Sequence, residues 1–373
     1  MKQYEAVFFS MLRKSLWGCP LDIPEGFRDW KYVLGFAKHQ WMHGFVADAM
    51  LTTPEIVSKI SPRGIERLQN IPLDNMAQHT TLNNTLILVV NALRAEGIEP
   101  VLMKGQGLAH YYPVPGLRTC GDIDLYVGLE NYEKAYYALQ PLATEIDTVS
   151  QMKGDGKHFH LSIGTTILEI HKYSEVYSSP RKNNIYQEYA SKGLTENLVP
   201  VALGPLTVNT PADDFNVFYV FSHLWHHFMA SGIGLRQLCD FVCLLHAKVG
   251  KYDLEQLEYM LRKMGLMTPW KVVGCALVEY FGLPEQEYPF YDKSYRRRGQ
   301  RFFNYVLKDE FAFNNPFARE ARRGFLREKL FSLKCHLKRF FGLVFIFPVH
   351  TINNFLHTIA GGLRRAFRDY SDR

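Results

Sequence analysis

Residues 98–127 read IEPVLMKGQGLAHYYPVPGLRTCGDIDLYV, and the end of this stretch alternates as a β-strand does. Asp122 and Asp124 are two residues apart, with apolar residues between and after them. Side chains alternate between the faces of a strand, so both carboxylates are expected on one face. Adjacent acids repel each other, and a divalent cation such as Mg²⁺, which binds carboxylate and phosphate oxygens, relieves that repulsion. The spacing predicts a metal-binding strand, although an Asp-x-Asp pair also occurs in solvated edge strands.

The segment Lys104-Gly105-Gln106-Gly107 follows an apolar run and precedes a short helical pattern. Backbone N–H groups at the start of a helix can bind phosphate, and a lysine can neutralise its charge. Closer to the acids, Arg118 supplies a planar cation and Gly121 a permissive backbone position. The residues predicted to contribute to phosphate binding are Lys104, Gly105, Gln106, Gly107, Arg118 and Gly121. The alternative for Lys104 is a solvated lysine at the end of a strand.

A third carboxylate lies in the alternating run 166–171, TILEIH, which places Glu169 and His171 on one strand face. If this strand pairs beside the first acidic strand, Glu169 completes a triad with Asp122 and Asp124. The alternative is that Glu169 faces solvent. His171 is a candidate for the substrate cleft, and His158 and His160 alternate on the preceding strand.

The motifs apolar-apolar-Lys-Gly, Gly-Leu-Arg-x-x-Gly-Asp-Ile-Asp-Leu-x-Val and Glu-Ile-His together resemble the bacterial nucleotidyltransferase family of the DNA polymerase β superfamily. The resemblance covers roughly residues 30–245 and is strongest over 98–127. It implies an α+β fold with a polymerase-β-type core, in which helices pack on a small mixed sheet. It also implies that Asp122, Asp124 and Glu169 are catalytic and bind two divalent ions, Mg²⁺ or Mn²⁺. Lys104-Gly105 stands where most members of the superfamily have Gly-Gly or Gly-Ser.

The implied activity is transfer of a nucleoside monophosphate from an NTP to an acceptor hydroxyl that the sequence does not identify. Two other functions stay open. One is an inactive nucleotide-binding or regulatory module; the other is a membrane-peripheral accessory protein of surface-polymer biosynthesis. An intact triad favours the enzyme, because an inactive module has no reason to keep three acids that repel one another.

A second set of candidate residues lies further along the chain. Arg236 and Asp240 are i and i+4 and can form a helix salt bridge. The resembling family has the same Gly-x-Arg-x-x-x-Asp arrangement in its cleft wall, so fold support and substrate contact are both open. His223 and His227 also have i, i+4 spacing, which can bind zinc, but without a His-Glu-x-x-His motif we interpret them as polar tips on a half-buried helix.

We expect four segments: an N-terminal helical segment packed on the core (1–97), the nucleotidyltransferase core (98–210), a helical domain (211–318) and a basic amphipathic tail (319–373). The helical domain is predicted to begin at Pro211, with Thr210 as its cap.

Composition limits the other functions. The net charge is +6, but residues 319–373 contain twelve Lys or Arg against four Asp or Glu, so the rest is close to neutral. Nucleic acid is therefore a less favoured partner for the core. The tail combines cations with Phe and Leu, which is compatible with peripheral contact to an anionic membrane, with a helical cover on the protein's own core, or with RNA. The six cysteines show no disulfide or zinc spacing, which indicates a cytoplasmic protein.

Overall fold

A mixed β-sheet forms the centre of the protein, which we describe from a computed structural model covering residues 1–308, 325–356 and 358. The strands are β1 (Val101–Met103), β2 (Asp122–Tyr126), β3 (Glu145–Ile146), β4 (His158–Ile163), β5 (Thr166–His171), β6 (Val199–Leu203) and β7 (Leu206–Thr210). Their order across the sheet is β3-β4-β5-β2-β1-β7-β6. Strands β2 and β5 are parallel, as are β1 and β7, and the other neighbours are antiparallel.

Helices surround the sheet. Before the first strand lie α1 (Gln3–Trp17), α2 (Trp30–His39), α3 (His43–Leu51), α4 (Pro54–Val57) and α5 (Pro62–Ala95). Between strands lie α6 (Gly105–Ala109), α7 (Gly128–Leu139), α8 (Val149–Met152) and α9 (Pro180–Gly193). After the sheet come α10 (Asp213–Ala230), α11 (Leu235–Ala247), α12 (Leu254–Met264), α13 (Met267–Ala276), α14 (Arg296–Lys308) and α15 (Phe325–Leu343). This arrangement confirms the predicted α+β class with helices after the core.

One face of the sheet packs against α5 and α7. Leu86 and Val89 of α5 are fully buried in the same apolar cluster as Ile123 and Leu125 of β2. Helix α5 begins at Pro62, well before this buried part. Its earlier turns are more polar and more exposed, so they lack the apolar periodicity from which a buried helix is recognised.

The N-terminal helices pack against helices from the C-terminal half. The ring of Phe9 in α1 lies 5.8 Å from that of Phe281 and 5.3 Å from that of Phe303 in α14. Trp17 donates its indole N–H to the carbonyl of Phe281 at 2.7 Å. Helices from the N-terminal and C-terminal halves therefore share one large apolar core. Helix α5 connects this region to the sheet. The segment boundaries at 97 and 211 stay predictions.

The start of α10 differs from the prediction. The helix begins at Asp213 after Ala212, and Thr210 is the last residue of β7. The Thr210 hydroxyl donates to the carbonyl of Val199 at 2.9 Å, across the β6–β7 hairpin. The side chain of Thr210, which the sequence predicted to cap the helix, thus stabilises the β-hairpin instead.

The predicted basic tail lies partly outside the described residues. Its described part includes α15 and a helical stretch over residues 348–356. Phe347 packs its ring 4.7 Å from that of Trp225 in α10, so this part contacts the protein's own core. Across the described ranges, no helix has the length and apolarity needed to cross a membrane.

A buried ion pair joins the loop before β2 to α11. The Arg118 guanidinium donates through Nε and Nη2 to the two carboxylate oxygens of Asp240, at 2.6 and 2.8 Å. The side chains are only 4% and 8% exposed, and Tyr112 donates a further hydrogen bond of 2.7 Å to Asp240. Burial disfavours the charged guanidinium, but Asp240 outweighs it and raises the pKa of Arg118 well above its usual range. The pair fixes α11 against the acidic strand.

We predict that Asp240→Asn lowers the free energy of unfolding by roughly 3–5 kcal/mol, because it leaves a buried guanidinium without a counter-charge. Chemical denaturation monitored by circular dichroism measures this loss.

The matched control is Glu258→Gln, since Glu258 also pairs with an arginine, Arg262, at 2.6 Å, but with side chains 39% and 66% exposed. Its loss should be at most about 0.5 kcal/mol. Equal losses in the two variants would contradict the structural importance of the buried pair.

Candidate active site

Three carboxylates come together on the sheet face opposite α5 and α7. The parallel register of β2 and β5 sets Asp124 directly opposite Glu169, with Asp122 two residues earlier on the same strand. Their neighbours Ile123 and Leu168 are fully buried in the cluster on the other face. Because alternate strand residues point to opposite faces, all three acids share the face toward α10 and α11.

Lys104 lies against these acids. Its Nζ is 2.7 Å from Oδ1 of Asp124, and its side chain is only 14% exposed. Burial disfavours its charge, but Asp124, Glu169 and Asp122 outweigh this effect and raise the pKa of Lys104. Its backbone φ is +48°, a strained conformation for a residue with a side chain. The structure thus excludes the solvated alternative and places a permanent cation among the acids.

His171 lies behind the acids rather than in the cleft as predicted. It is completely buried, with Nε2 at 2.9 Å from Oδ1 of Asp124 and 3.3 Å from Oε2 of Glu169. Burial alone would raise the pKa of Asp124, but the Lys104 ammonium and the His171 ring hold that pKa far below its usual range. Burial alone would also raise the pKa of Glu169, but the hydrogen bond with His171 outweighs it and lowers that pKa.

Asp122 has the opposite behaviour. Burial is the largest cause and the Asp124 carboxylate the next, and together with Glu169 they raise the pKa of Asp122, against the opposing charges of Lys104 and Arg236. Repulsion among the acids is therefore only partly compensated by the chain's own cations. Carboxylate oxygens are the donors that Mg²⁺ and Mn²⁺ prefer, and such an ion would relieve the remaining repulsion. The residues fit a hard divalent cation.

The acids lie at the bottom of a cleft of about 310 Å³. Beside them on the sheet side are Lys104, Gly105, Lys157 and His158. The opposite wall comes from α10 and α11 and contains Val220, His223, Leu224, His226, His227, Arg236, Gln237 and Asp240. The cleft therefore has acids on one side and mainly histidines and cations around them.

Sequence reasoning missed the residue that organises this wall. Glu175 is 2% exposed and pairs with Lys157 at 3.1 Å and with Nδ1 of His223 at 3.3 Å. Burial would raise its pKa, but His223 and Lys157 lower it well below the usual range. Its partners lie 18 and 48 positions away in sequence. The only sequence feature that pointed to this region was the i, i+4 spacing of His223 and His227, which we interpreted as polar tips on a half-buried helix.

The other residues predicted to bind phosphate next to Lys104 have different environments. Gly105 lines the cleft at φ +35°, and a Cβ there would lie 3.1 Å from the carbonyl oxygen of Asp122. Gln106 is 1% exposed and donates to Asn83 of α5 at 2.7 Å, so its side chain points away from the acids. A Cβ on Gly107 would lie 3.0 Å from the backbone of β1. Gly105 thus lies at the cleft, whereas Gln106 and Gly107 serve the packing of α6.

The structure also reassigns the predicted arginine. Because Arg118 is held by Asp240, its charge is already neutralised, and Asp240 pairs with Arg118 in place of the i, i+4 bridge that Arg236 could have formed. Arg236 instead donates to the carbonyl of Thr119 at 2.9 Å and lines the cleft near the acids. Gly121 is exposed, and a Cβ there would meet nothing within 4 Å, so no steric reason for glycine is observed.

Comparison with known proteins identifies the family. The model of a family described as "Uncharacterised nucleotidyltransferase" matches residues 27–282. No curated protein matches the chain. The crystal structure of ANT(2")-Ia in complex with adenylyl-2"-tobramycin is 11% identical with a TM-score of 0.35, over 51% of this chain and 99% of that one. An antigenic nucleotidyltransferase-like protein from Paracoccidioides brasiliensis is 12% identical with a TM-score of 0.34, over 58% and 96%.

The family match covers more than half of the 373 residues and includes the sheet, the three acids and the cleft wall. On that coverage the chain belongs to this nucleotidyltransferase family, which confirms the resemblance found in residues 98–127.

Proposed function

We propose that the protein transfers a nucleoside monophosphate from an NTP to the hydroxyl group of an acceptor. The observation that carries this proposal is the β2–β5 register, which gathers Asp122, Asp124 and Glu169 beside Lys104 at the bottom of a cleft. In the reaction the acceptor oxygen bonds to the α-phosphorus while the bond to the β-phosphate oxygen breaks. Pyrophosphate leaves and the hydroxyl proton passes to solvent.

Asp122, Asp124 and Glu169 would hold the two divalent cations, Mg²⁺ or Mn²⁺. Such ions, when bound, neutralise the triphosphate and make the acceptor hydroxyl more acidic. The three acids then have a second role, because their fixed positions orient whatever binds above them. Holding two reactants in one geometry is among the largest contributions an enzyme makes.

Lys104, Arg236 and Lys157 are the cationic side chains proposed to bind phosphate. All three line the cleft, and Lys104 is kept charged by its surroundings. A charge held in place before substrate arrives stabilises developing phosphate charge without further reorganisation. Arg236 is thus proposed for the phosphate-binding role that the sequence analysis had predicted for Arg118.

The wall of α10 and α11 is proposed to receive the acceptor. Val220 and Leu224 provide apolar surface on this wall, and His223 is held by Glu175. Polar groups fixed by a buried partner can orient a hydroxyl, while the apolar ones limit access of water. The acceptor therefore enters between the histidines and the acids.

Asp124→Asn should abolish Mg²⁺-dependent release of pyrophosphate, with a loss of at least about 100-fold, because it removes a ligand charge while keeping the side-chain shape. The assay uses the full-length protein with each of the four NTPs in turn, and circular dichroism checks that the sheet is retained.

Asp155→Asn, the same substitution at an exposed position, is the control and should leave the rate unchanged. An Asp124→Asn variant as active as the unmodified protein would refute the metal assignment. Failure of the unmodified protein to bind or turn over any NTP would refute the proposed function.

Lys104→Ala should have opposite effects on two ligands. The affinity of the free protein for Mn²⁺ should rise, because the ammonium group that neutralises Asp124 is removed, whereas NTP affinity should fall by roughly 10- to 100-fold with the loss of a charged hydrogen bond. Isothermal titration calorimetry measures both.

Lys134→Ala serves as control, since Lys134 pairs with Glu96 on the exposed surface. If NTP affinity is unaltered in Lys104→Ala, Lys104 only neutralises the acids and does not contact the triphosphate.

A further inference from the structure

Helix α15 and the helical stretch over residues 348–356 carry apolar side chains on two different sides. One side packs on the core, where Leu343, Ile346 and Phe347 are at most 3% exposed and the ring of Phe347 lies 5.8 Å from that of Phe228 in α10. The other side is exposed, and its apolar members recur every three or four residues: Leu333, Leu337, Phe341, Phe345, Val349, Ile352 and Leu356. This set is named the apolar stripe. A helix that is apolar on both sides is expected to be covered on both.

The stripe is strongly exposed at its centre. Phe341 is 64% exposed, Phe345 75% and Val349 66%. Single apolar side chains are common on protein surfaces, but residues three or four apart on a helix are neighbours and together form a continuous patch. Such a patch, when polar residues border it, marks an interaction surface.

The charged residues of this segment are almost all basic. Lys334 and Lys338 are exposed and directly follow Leu333 and Leu337 of the stripe. From residue 329 to residue 356 the sequence contains four Lys or Arg and no Asp or Glu. The stripe is therefore bordered by cations, and its partner is expected to be anionic as well as apolar.

Helix α14 adds cations beside the same segment. Arg298 of α14 donates through Nε to the carbonyl oxygen of Ile346 at 3.0 Å, which places the two helices side by side. Arg297, Arg301 and Lys308 lie on the exposed face of α14, at spacings of four and seven residues. In the part of the chain that the structure describes, no carboxylate pairs with any of these three. Their charge is therefore uncompensated next to the stripe.

We propose that the apolar stripe and these cations dock on the surface of an anionic lipid bilayer, with α15 lying along the membrane plane. Phe and Leu side chains would enter the boundary between headgroups and acyl chains, and the long side chains of Lys334 and Lys338 would reach the lipid phosphates. An anionic bilayer supplies both properties that the surface requires. This proposal goes beyond nucleotide transfer, since no residue of the stripe lines the cleft.

A second copy of the chain fits this surface less well than a bilayer does. In a two-fold contact the same patch meets itself, so the cations beside one stripe would face those beside the other. Like charges brought together in this way repel, whereas anionic lipids neutralise both sets.

The test is co-sedimentation of the full-length protein with vesicles, either of phosphatidylcholine alone or of equal parts phosphatidylcholine and phosphatidylglycerol. The protein should bind the anionic vesicles at least about tenfold more tightly than the neutral ones, because each cation near the surface favours binding. Binding should weaken as salt rises from about 0.1 M to about 0.5 M, since salt screens exposed charges.

Two double variants test the two components separately. Phe341→Gln with Phe345→Gln should weaken binding to anionic vesicles by more than about tenfold, because it removes apolar area from the inserted side. Arg297→Gln with Arg301→Gln should also weaken it by about tenfold, while leaving the weak binding to neutral vesicles unchanged. Circular dichroism identifies a variant that fails to fold, and the other one then decides.

Matched controls change the same kinds of residue elsewhere. Leu73→Gln with Leu129→Gln replaces two apolar side chains that are 60% and 57% exposed, and Arg28→Gln with Arg63→Gln removes two exposed arginines. Both controls should bind anionic vesicles as the unmodified protein does. Controls that weaken binding as much as the test variants would overturn the proposed surface.

Three further results would contradict the proposal. Equal sedimentation with both kinds of vesicle, or with neither, would rule out an electrostatically assisted membrane surface. A dimer in sedimentation velocity that only the Phe341 and Phe345 double variant dissociates, without vesicle binding, would assign the stripe to a second copy. Retention by single-stranded polyuridylate but not by vesicles would assign the cations to RNA.

Discussion

Repulsion among three carboxylates is the constraint around which the rest of the site is arranged. The β2–β5 register brings Asp124 opposite Glu169, and the apolar residues between the acids pack on α5 and α7, so the register cannot slip without exposing that core. Lys104 neutralises Asp124 and His171 lies at hydrogen-bond distance from it, while Asp122 keeps a raised pKa. The protein thus holds a surplus of negative charge at the bottom of a cleft, where the proposed divalent cations would restore balance.

The surroundings of the cleft are fixed by buried charges that do not themselves have to meet a substrate. Arg118 and Asp240 hold α11 against the strand, and Glu175 holds Lys157 and His223 on the opposite side. A buried ion pair adds little net stability compared with apolar packing, but breaking one is costly. Such pairs are suited to positioning, and this leaves Arg236, a half-buried cation that lines the cleft, for the proposed binding of phosphate.

The alternation in residues 122–127 and 166–171 was sufficient to predict the strands and their acidic face, because strand periodicity is a local property, while the α+β class was implied by the family resemblance. The ion partners were not predictable in the same way. Arg118 and Asp240 are 122 positions apart, and the i, i+4 spacing of Arg236 and Asp240 suggested a pair that the fold does not make. Likewise Thr210 has the local features of a helix cap, but pairing with Val199 decides its role. Local sequence patterns therefore predict the helices and strands. Which charged side chains pair with one another depends on the tertiary fold that buries them.

The most direct test of the account is a crystal structure of the protein with Mn²⁺ and a non-hydrolysable NTP analogue, using the anomalous scattering of manganese. The account predicts an anomalous peak in contact with the carboxylates of Asp122 and Asp124, with the triphosphate beside it and within reach of Lys104. A nucleotide bound away from these carboxylates, or no manganese between them at saturating nucleotide, would contradict it.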